Sequence, residues 1–397
     1  MPPPSRIVVV HASAGAGHMQ AAGALAEAFR LEAPEVDVRV VDALQFSTTV
    51  FRRTYVSSYN NIVRRAPGLW GFLYARTSDP RIDRVTSLPR FTIDKLSVRR
   101  MRGFLQKARP DAVVSTHFLP LALLSDLRLK QPDLYGWPLT CAITDYTAHP
   151  FWVAEGVSRY CVGSAGVVAE LSEHGIPRSR AVVTGIPVHP RFAIRGDARE
   201  ARARLGLGED GPTVLVMGGG VGMGHLAEVV ERILRAGRDY RCIVVCGRNA
   251  RLRRHLRERY EAHEERQGRI AIRGFVRDID RLMDAATVVI SKAGGLTTSE
   301  SLAKGLPMLI LDPIPGQEER NCNYVVDAGA AIRLGDVSEV GLRAREVLEP
   351  GGRLAAMAAA ARKAARPDAA RTIARLVLEG AARAGSEMAE PSASGVP

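Results

Sequence analysis

A repeating alternation of short apolar runs and helically spaced stretches limits this chain to parallel sheets covered by helices. Ile7 to His11 is followed by a turn at Gly15 to Gly17 and by a helix over Gln20 to Arg30, whose apolar face is Ala22, Leu25, Ala26 and Phe29. Apolar runs at 36–41, 112–115, 139–143, 160–162 and 181–184 continue this first series. A charged helical stretch from Asp197 to Leu205 intervenes, and a second series runs through 213–217, 242–246, 270–272, 287–290 and 308–311. Strand-helix rhythm of this kind predicts an α/β chain with two doubly wound parallel-sheet domains. The predicted boundaries are a first domain over 1–187, a linker over 188–210, a second domain over 211–384 and a small, polar, disordered tail over 385–397. Such sheets hold ligands beyond the carboxyl ends of their strands, so two of them facing each other would bind substrates in a cleft.

At 397 residues, 46% hydrophobic, the chain is long enough for two domains with cores of their own. No uncharged apolar run reaches the ~18–20 residues of a spanning helix. Met1 to Arg6 leads directly into a strand and lacks a signal-peptide core, which predicts a cytoplasmic protein, soluble or peripheral to a membrane. Cys141, Cys161, Cys242, Cys246 and Cys322 are scattered without the second pair or nearby histidines of a zinc site, and are expected to be buried reduced thiols. A formal charge of +13 calls for an anionic partner or surface, although arginine-rich composition contributes to it.

The most specific run is Val288 to Glu300: an apolar strand, a glycine turn at Gly294 and Gly295, and a helix start at Leu296 and Thr297. Free N–H groups at a helix N-terminus, with the positive end of the dipole behind them, form an anion site that the glycines open to close approach. Glu300, one turn on, is misplaced beside a bare phosphate and well placed to accept hydrogen bonds from a ribose, so a nucleotide is the expected guest. Gln317, Glu318 and Asn321 follow on a stretch stiffened by Pro313, Pro315 and Gly316, at a spacing that suits sugar hydroxyls.

Two residues compete as a base. His18 closes the first glycine loop, where an imidazole with an ordinary pKa of ~6.5 suits proton removal near neutral pH; capping or core packing is the alternative. Asp145 follows the run 139–143, with Tyr146 and His149 beyond it, and is either a base raised by desolvation or a turn cap; His149 either orients it or bonds to backbone. Gly218, Gly219 and Gly220 open a glycine loop after a strand. No acidic residue closes the next strand, which runs into Gly247-Arg248-Asn249, and no Gly-Lys-Ser/Thr follows, so neither a dinucleotide fingerprint nor a P-loop is present. No metal is expected to be required. From Phe51 to Arg102 arginines dominate, among them Arg64 and Arg65, interleaved with aromatics such as Trp70 and Phe72. That pattern suits an anionic membrane interface, or a solvated insertion whose rings complete the core; no nucleic-acid motif accompanies it.

Four blocks in order, Ala14-Gly15-Ala16-Gly17-His18, Thr144-Asp145-Tyr146 with His149-Pro150, Gly185-Ile186-Pro187-Val188, and the run from Gly274-Phe275 through Pro315-Gly316-Gln317-Glu318 to Asn321, give the chain its family likeness over roughly residues 5 to 365. It resembles the monogalactosyldiacylglycerol synthases and processive diacylglycerol glucosyltransferases and, more distantly, the peptidoglycan N-acetylglucosaminyltransferase. It departs from them at Ala293, where the family often has proline, and its first loop differs from the plant type; neither change removes a polar group. The resemblance implies the GT-B arrangement and inverting transfer of galactose or glucose from a UDP-sugar to diacylglycerol, with no cofactor, at the inner face of the cell membrane. It also implies a catalytic or acceptor role for His18 in its loop of Gly15 and Gly17, with Tyr146 and His149 on the acceptor side. On the donor side it implies a diphosphate at Gly218 to Gly220 with Arg248 nearby, and uracil at Phe275 and Val276. A UDP-sugar epimerase of similar fold, or a non-catalytic basic module docking on membrane or RNA, are the alternatives.

Overall fold

The computed structural model describes residues 6–13, 15–55, 66, 68, 71–72, 76, 95–218, 225–260 and 268–389. Its strands fall into two six-stranded sheets, each wholly parallel. Strands β1 (Arg6–His11), β2 (Asp37–Asp42), β3 (Ala112–Ser115), β4 (Leu139–Ala142), β5 (Arg159–Val162) and β6 (Ala181–Val183) are ordered β2-β1-β3-β4-β5-β6. Strands β7 (Thr213–Met217), β8 (Arg241–Val245), β9 (Ile270–Arg273), β10 (Val288–Ser291), β11 (Met308–Ile310) and β12 (Ala331–Arg333) are ordered β12-β11-β10-β7-β8-β9. Every apolar run predicted as a strand is one; β12 is an addition, too short and mixed to announce itself. The central strands β3, β4, β7 and β10 are buried along their whole length, which is why they read as unbroken apolar runs.

Strand order fixes where ligands can go. In the first sheet the direction of winding reverses between β1 and β3, paired through Ile7↔Ala112 to Val10↔Ser115; in the second it reverses between β7 and β10, paired through Val288↔Val214 to Ile290↔Val216. A doubly wound sheet opens a crevice beyond the carboxyl ends of the strands at that reversal.

The domain boundaries differ from those predicted at both ends. The chain forms two compact units, residues 1–190 with 368–397, and residues 191–367. The stretch expected as a linker is built into the second unit: Arg191 pairs with Asp280 at 3.0 Å, Arg202 Nε donates to the Ala285 carbonyl at 3.0 Å, and Lys304 donates to the Ile194 carbonyl. At the other end the helix Ala369–Ala389 belongs to the first unit, and it carries on past Gly385, where a disordered tail was expected; residues 390–397 lie outside the described residues. Its Ala370, Ile373, Ala374, Val377 and Ala381 recur on one face and pack with Ala22, Leu25, Ala28 and Phe29 of the helix Ala16–Glu32. Arg371 and Arg375 then clasp Glu32, at 2.5 and 2.9 Å. Ile373→Ala should therefore cost about 2–5 kcal/mol in the stability of the first unit, the usual range for emptying a buried isoleucine site. Urea unfolding would measure it, and an unchanged midpoint would contradict the packing.

All five cysteines are free and buried, and burial pushes the Cys161 and Cys242 thiols up to about 12. No helix among the described residues is long and apolar enough to cross a membrane.

Candidate functional site

In the first unit the site grows at the β1/β3 reversal. Gly15 caps the helix Ala16–Glu32 with a φ of 104°, a conformation that side chains with a Cβ rarely adopt, and Gly17 and His18 occupy the first helical turn. The turn predicted at Gly15 to Gly17 is thus already half helix. It delivers His18 to the ends of β3 and β4. The imidazole Nδ1 lies 2.8 Å from the Thr116 carbonyl oxygen and 3.0 Å from Thr144 Oγ1, while Thr116 Oγ1 donates to the His18 carbonyl at 2.9 Å. A carbonyl can only accept, so Nδ1 carries the proton and Nε2 is left with its lone pair.

Two histidines that the sequence reading passed over complete this corner. His117, 1% exposed, meets His18 edge to face at 4.4 Å between ring centroids, and its Nδ1 accepts the Leu119 N–H at 3.0 Å as the cap of the helix Phe118–Lys130. His11, at the end of β1, is buried, and its Nδ1 has no hydrogen-bond partner among the described residues. Burial holds all three imidazoles below the ordinary histidine value, His117 far below it; Asp145 pulls His18 back up and His11 pushes it further down. His18 is therefore neutral at pH 7, with a carboxylate placed to welcome a proton.

Asp145 thus stands close to His18 electrostatically. Tyr146 is buried, its ring lying where a Cβ on Gly163 would come within 2.9 Å, so the residue after β5 must be glycine for this loop to close. His149 is buried and its Nδ1 accepts the Phe151 N–H at 3.2 Å, a backbone bond of the kind considered for it. Trp152, which that turn positions, comes within 6.1 Å of the His18 ring.

In the second unit the site lies at the β7/β10 reversal. Gly218 follows β7 directly; Gly219 and Gly220 lie outside the described residues. The helix Gly295–Lys304 starts at Gly294 with no acidic residue in its own first turn, so the positive end of its dipole faces the loop before it. Leu296 is buried beneath it and Thr297 is partly exposed. The predicted polar loop is partly helix, because Gln317 begins the helix Gln317–Asp327. Glu318 is anchored by the Ile314 N–H at 2.8 Å, and its Oε1 sits 4.0 Å from where a Gly294 side chain would begin, so Glu318 lies beside the glycine loop, with Gln317 preceding it in the chain. Asn321, expected to meet sugar, is fully buried and donates to the Ala293 carbonyl at 3.0 Å, fixing that loop from beneath.

Glu300 is 8% exposed, and desolvation raises its pKa to about 8, with Arg191 pulling down and Asp280 pushing up. Beyond the edge strand β9 of the same sheet, Phe275 stands 61% exposed with the Arg248 guanidinium 5.5 Å from its ring centre, and Val276 beside it is partly buried. Arg64, Arg65 and Trp70 lie outside the described residues; Phe72 is exposed, with Arg76 5.9 Å from its ring centre. Among the described residues no group of three or more His, Cys, Asp or Glu side chains is arranged to hold a metal ion.

Comparison with known proteins finds relatives that span both units. A family model described as monogalactosyldiacylglycerol (MGDG) synthase matches residues 18–188, and one described as the glycosyltransferase family 28 C-terminal domain matches residues 213–373. A chloroplastic monogalactosyldiacylglycerol synthase from Spinacia oleracea is 31% identical over 382 residues, covering 92% of this chain and 70% of the relative. A processive diacylglycerol beta-glucosyltransferase from Bacillus mycoides (strain KBAB4) is 28% identical over 378 residues, covering 94% and 93%. Among solved structures, Acinetobacter baumannii MurG superposes with a TM-score of 0.60 at 16% identity, over 95% of this chain and all of that one. A UDP-GlcNAc 2-epimerase from Neisseria meningitidis, bound to UDP-GlcNAc, gives 0.59 at 13% identity, over 94% and 100%. At such identities these two speak for the fold alone, which is of the GT-B type.

Proposed function

The chain belongs to the family of monogalactosyldiacylglycerol synthases and processive diacylglycerol glucosyltransferases, and from that premise we propose that it moves a hexose from a UDP-sugar to the free hydroxyl of diacylglycerol or a related lipid, with inversion at the anomeric carbon. The hexose is galactose or glucose, the point on which the named relatives themselves differ.

One observation carries the reading: the first-unit reversal point holds an imidazole whose Nδ1 proton is committed to Thr116, whose Nε2 is basic, and whose protonated form Asp145 would stabilise. The acceptor hydroxyl gives its proton to His18 Nε2 as its oxygen attacks C1 of the hexose. The bond from C1 to the diphosphate oxygen breaks, and its electron pair leaves on UDP. In the second unit the start of the helix Gly295–Lys304 and the amides from Gly218 to Gly220 meet the charge that builds on the leaving group, while Glu300 takes the ribose hydroxyls and Gln317 and Glu318 take the hexose. Phe275 and Val276 hold the uracil, with Arg248 stacked on the phenyl ring. No cofactor enters this scheme.

Contact with an anionic membrane falls to the segment 51–102 in peripheral association. Phe72 and Leu96 are exposed, as are Arg52, Arg53, Arg99 and Arg100, which supports that assignment over a solvated insertion whose rings complete the core. Incubation with membrane lipid extract and separate UDP-hexoses, followed by mass spectrometry, should yield a glycosylated lipid, with UDP competing and ATP not. Turnover of the UDP-sugar without lipid would instead mark an epimerase, and no saturable UDP binding would leave only a docking module.

A further inference from the structure

The turn that follows Asp145, whose charge reaches His18, is held from outside by a carboxylate on another element. Glu170 lies on the helix Ala165–Glu173, which Val167 and Leu171 root in the core. Its Oε2 accepts the Ala148 N–H at 2.5 Å and the Thr147 hydroxyl at 3.1 Å. Both partners are almost fully buried, Thr147 at 4% and Ala148 at 5% exposure, so neither could fall back on water. Charge-assisted bonds to a backbone N–H are stronger than neutral ones, and here they act three residues or fewer from Asp145. The loop has no sheet or helix of its own at this point. The same strand-turn-helix unit also supplies Gly163, against which Tyr146 packs, so residues 146–148 take their position from β5 and its helix.

We propose that Glu170 is a positioning residue of the transfer reaction, holding the turn at Thr147 and Ala148 so that Asp145 stands beside His18. This rests on the reading of His18 as the base. The charged and titratable groups that face His18 are Asp145 from the loop after β4, His11 from β1 and His117 from the loop after β3; of these only Asp145 favours the protonated imidazole. If the turn relaxes, Asp145 moves off and His18 becomes a weaker base, while the donor site in the other unit is untouched.

The test compares wild type with Glu170→Ala and Glu170→Gln as full-length chains, using UDP-hexose and diacylglycerol vesicles, with kcat, donor KM, the pH profile and the melting temperature as readouts. The alanine variant should lose about 10–100-fold in kcat, as expected for a misplaced catalytic group. Its donor KM should stay near wild type, and the acidic limb of its profile should move to lower pH. Glutamine keeps one accepting oxygen and should recover most of the rate. A folded Glu170→Ala variant with an unmoved acidic limb, whatever its rate, would overturn the proposal. If that variant does not fold, Glu170→Asp, one methylene shorter with its charge kept, carries the same comparison: a shifted limb supports the proposal and an unshifted one overturns it. His18→Ala is assayed alongside. If it stays active both readings fall, whereas an inactive His18→Ala with unshifted Glu170 variants removes the positioning role alone.

Discussion

Replacing His18 with alanine is expected to lower kcat by about 10²–10⁴-fold, the range that a positioned general base contributes. UDP binding, measured by calorimetry, should be unchanged, because the proposed donor residues all belong to the other unit. Turnover near wild type would pass the base role to Asp145 or to solvent. The environment of His18 also sets a pH dependence. Burial and His11 lower its pKa, so the unprotonated imidazole persists below the ordinary value of 6.5 and the acidic limb of the rate profile should fall beneath that pH. The same sign governs stability. His11, His18 and His117 bind protons less readily folded than unfolded, so stability is full above about 6.5 and is lost as the pH falls through the folded values. Thermal melts from pH 8 down to pH 5 would show this, and His117→Ala should flatten the slope.

Replacing Glu300 with alanine is expected to weaken UDP binding by about 10–150-fold, since one hydrogen bond to a charged group is worth roughly 1.5–3 kcal/mol and each 1.4 kcal/mol is a factor of ten. Unliganded, Glu300 holds its proton up to a pKa of about 8 because burial penalises the carboxylate. Two ribose hydroxyls donating to it would reverse that preference, so binding at pH 7 should release a proton, seen as a buffer-dependent enthalpy that vanishes in Glu300→Gln. The stability sign is opposite to that of the histidines. An acid whose folded pKa is raised binds its proton more tightly when folded, so its contribution is lost as the pH climbs from the usual carboxylate value of 4.5 towards 8. Melting of wild type should accordingly decline over that window relative to Glu300→Gln. UDP affinity in Glu300→Ala equal to wild type would remove the residue from the donor site.

Much of the proposed donor site was legible because its signals are local. A strand that becomes a helix through Gly294 and Gly295 declares its own anion site, and Gln317 and Glu318 lie a short, proline-stiffened stretch away. Asn321 was misjudged for an equally physical cause. An amide at that spacing can face a sugar or its own protein, and the buried Ala293 carbonyl took it. The acceptor corner was legible only in part. His18 and Asp145 stood out by their motifs, whereas His11 reads as the last residue of a strand and His117 as an ordinary helix cap.

The amino-acid sequence by itself determined the strands, the glycine turns and the helix starts, because periodicity and backbone chemistry act between neighbours and need no fold to be expressed. Tertiary structure decided which strands lie side by side, and with them that Thr116, 98 residues from His18, and Thr144, 126 residues from it, would choose its tautomer. It also decided that the last helix returns to the first unit, and that Glu300 keeps its proton. Strand order and burial are outcomes of packing summed over distant residues, and the protonation of a side chain follows burial; no local run of residues encodes either.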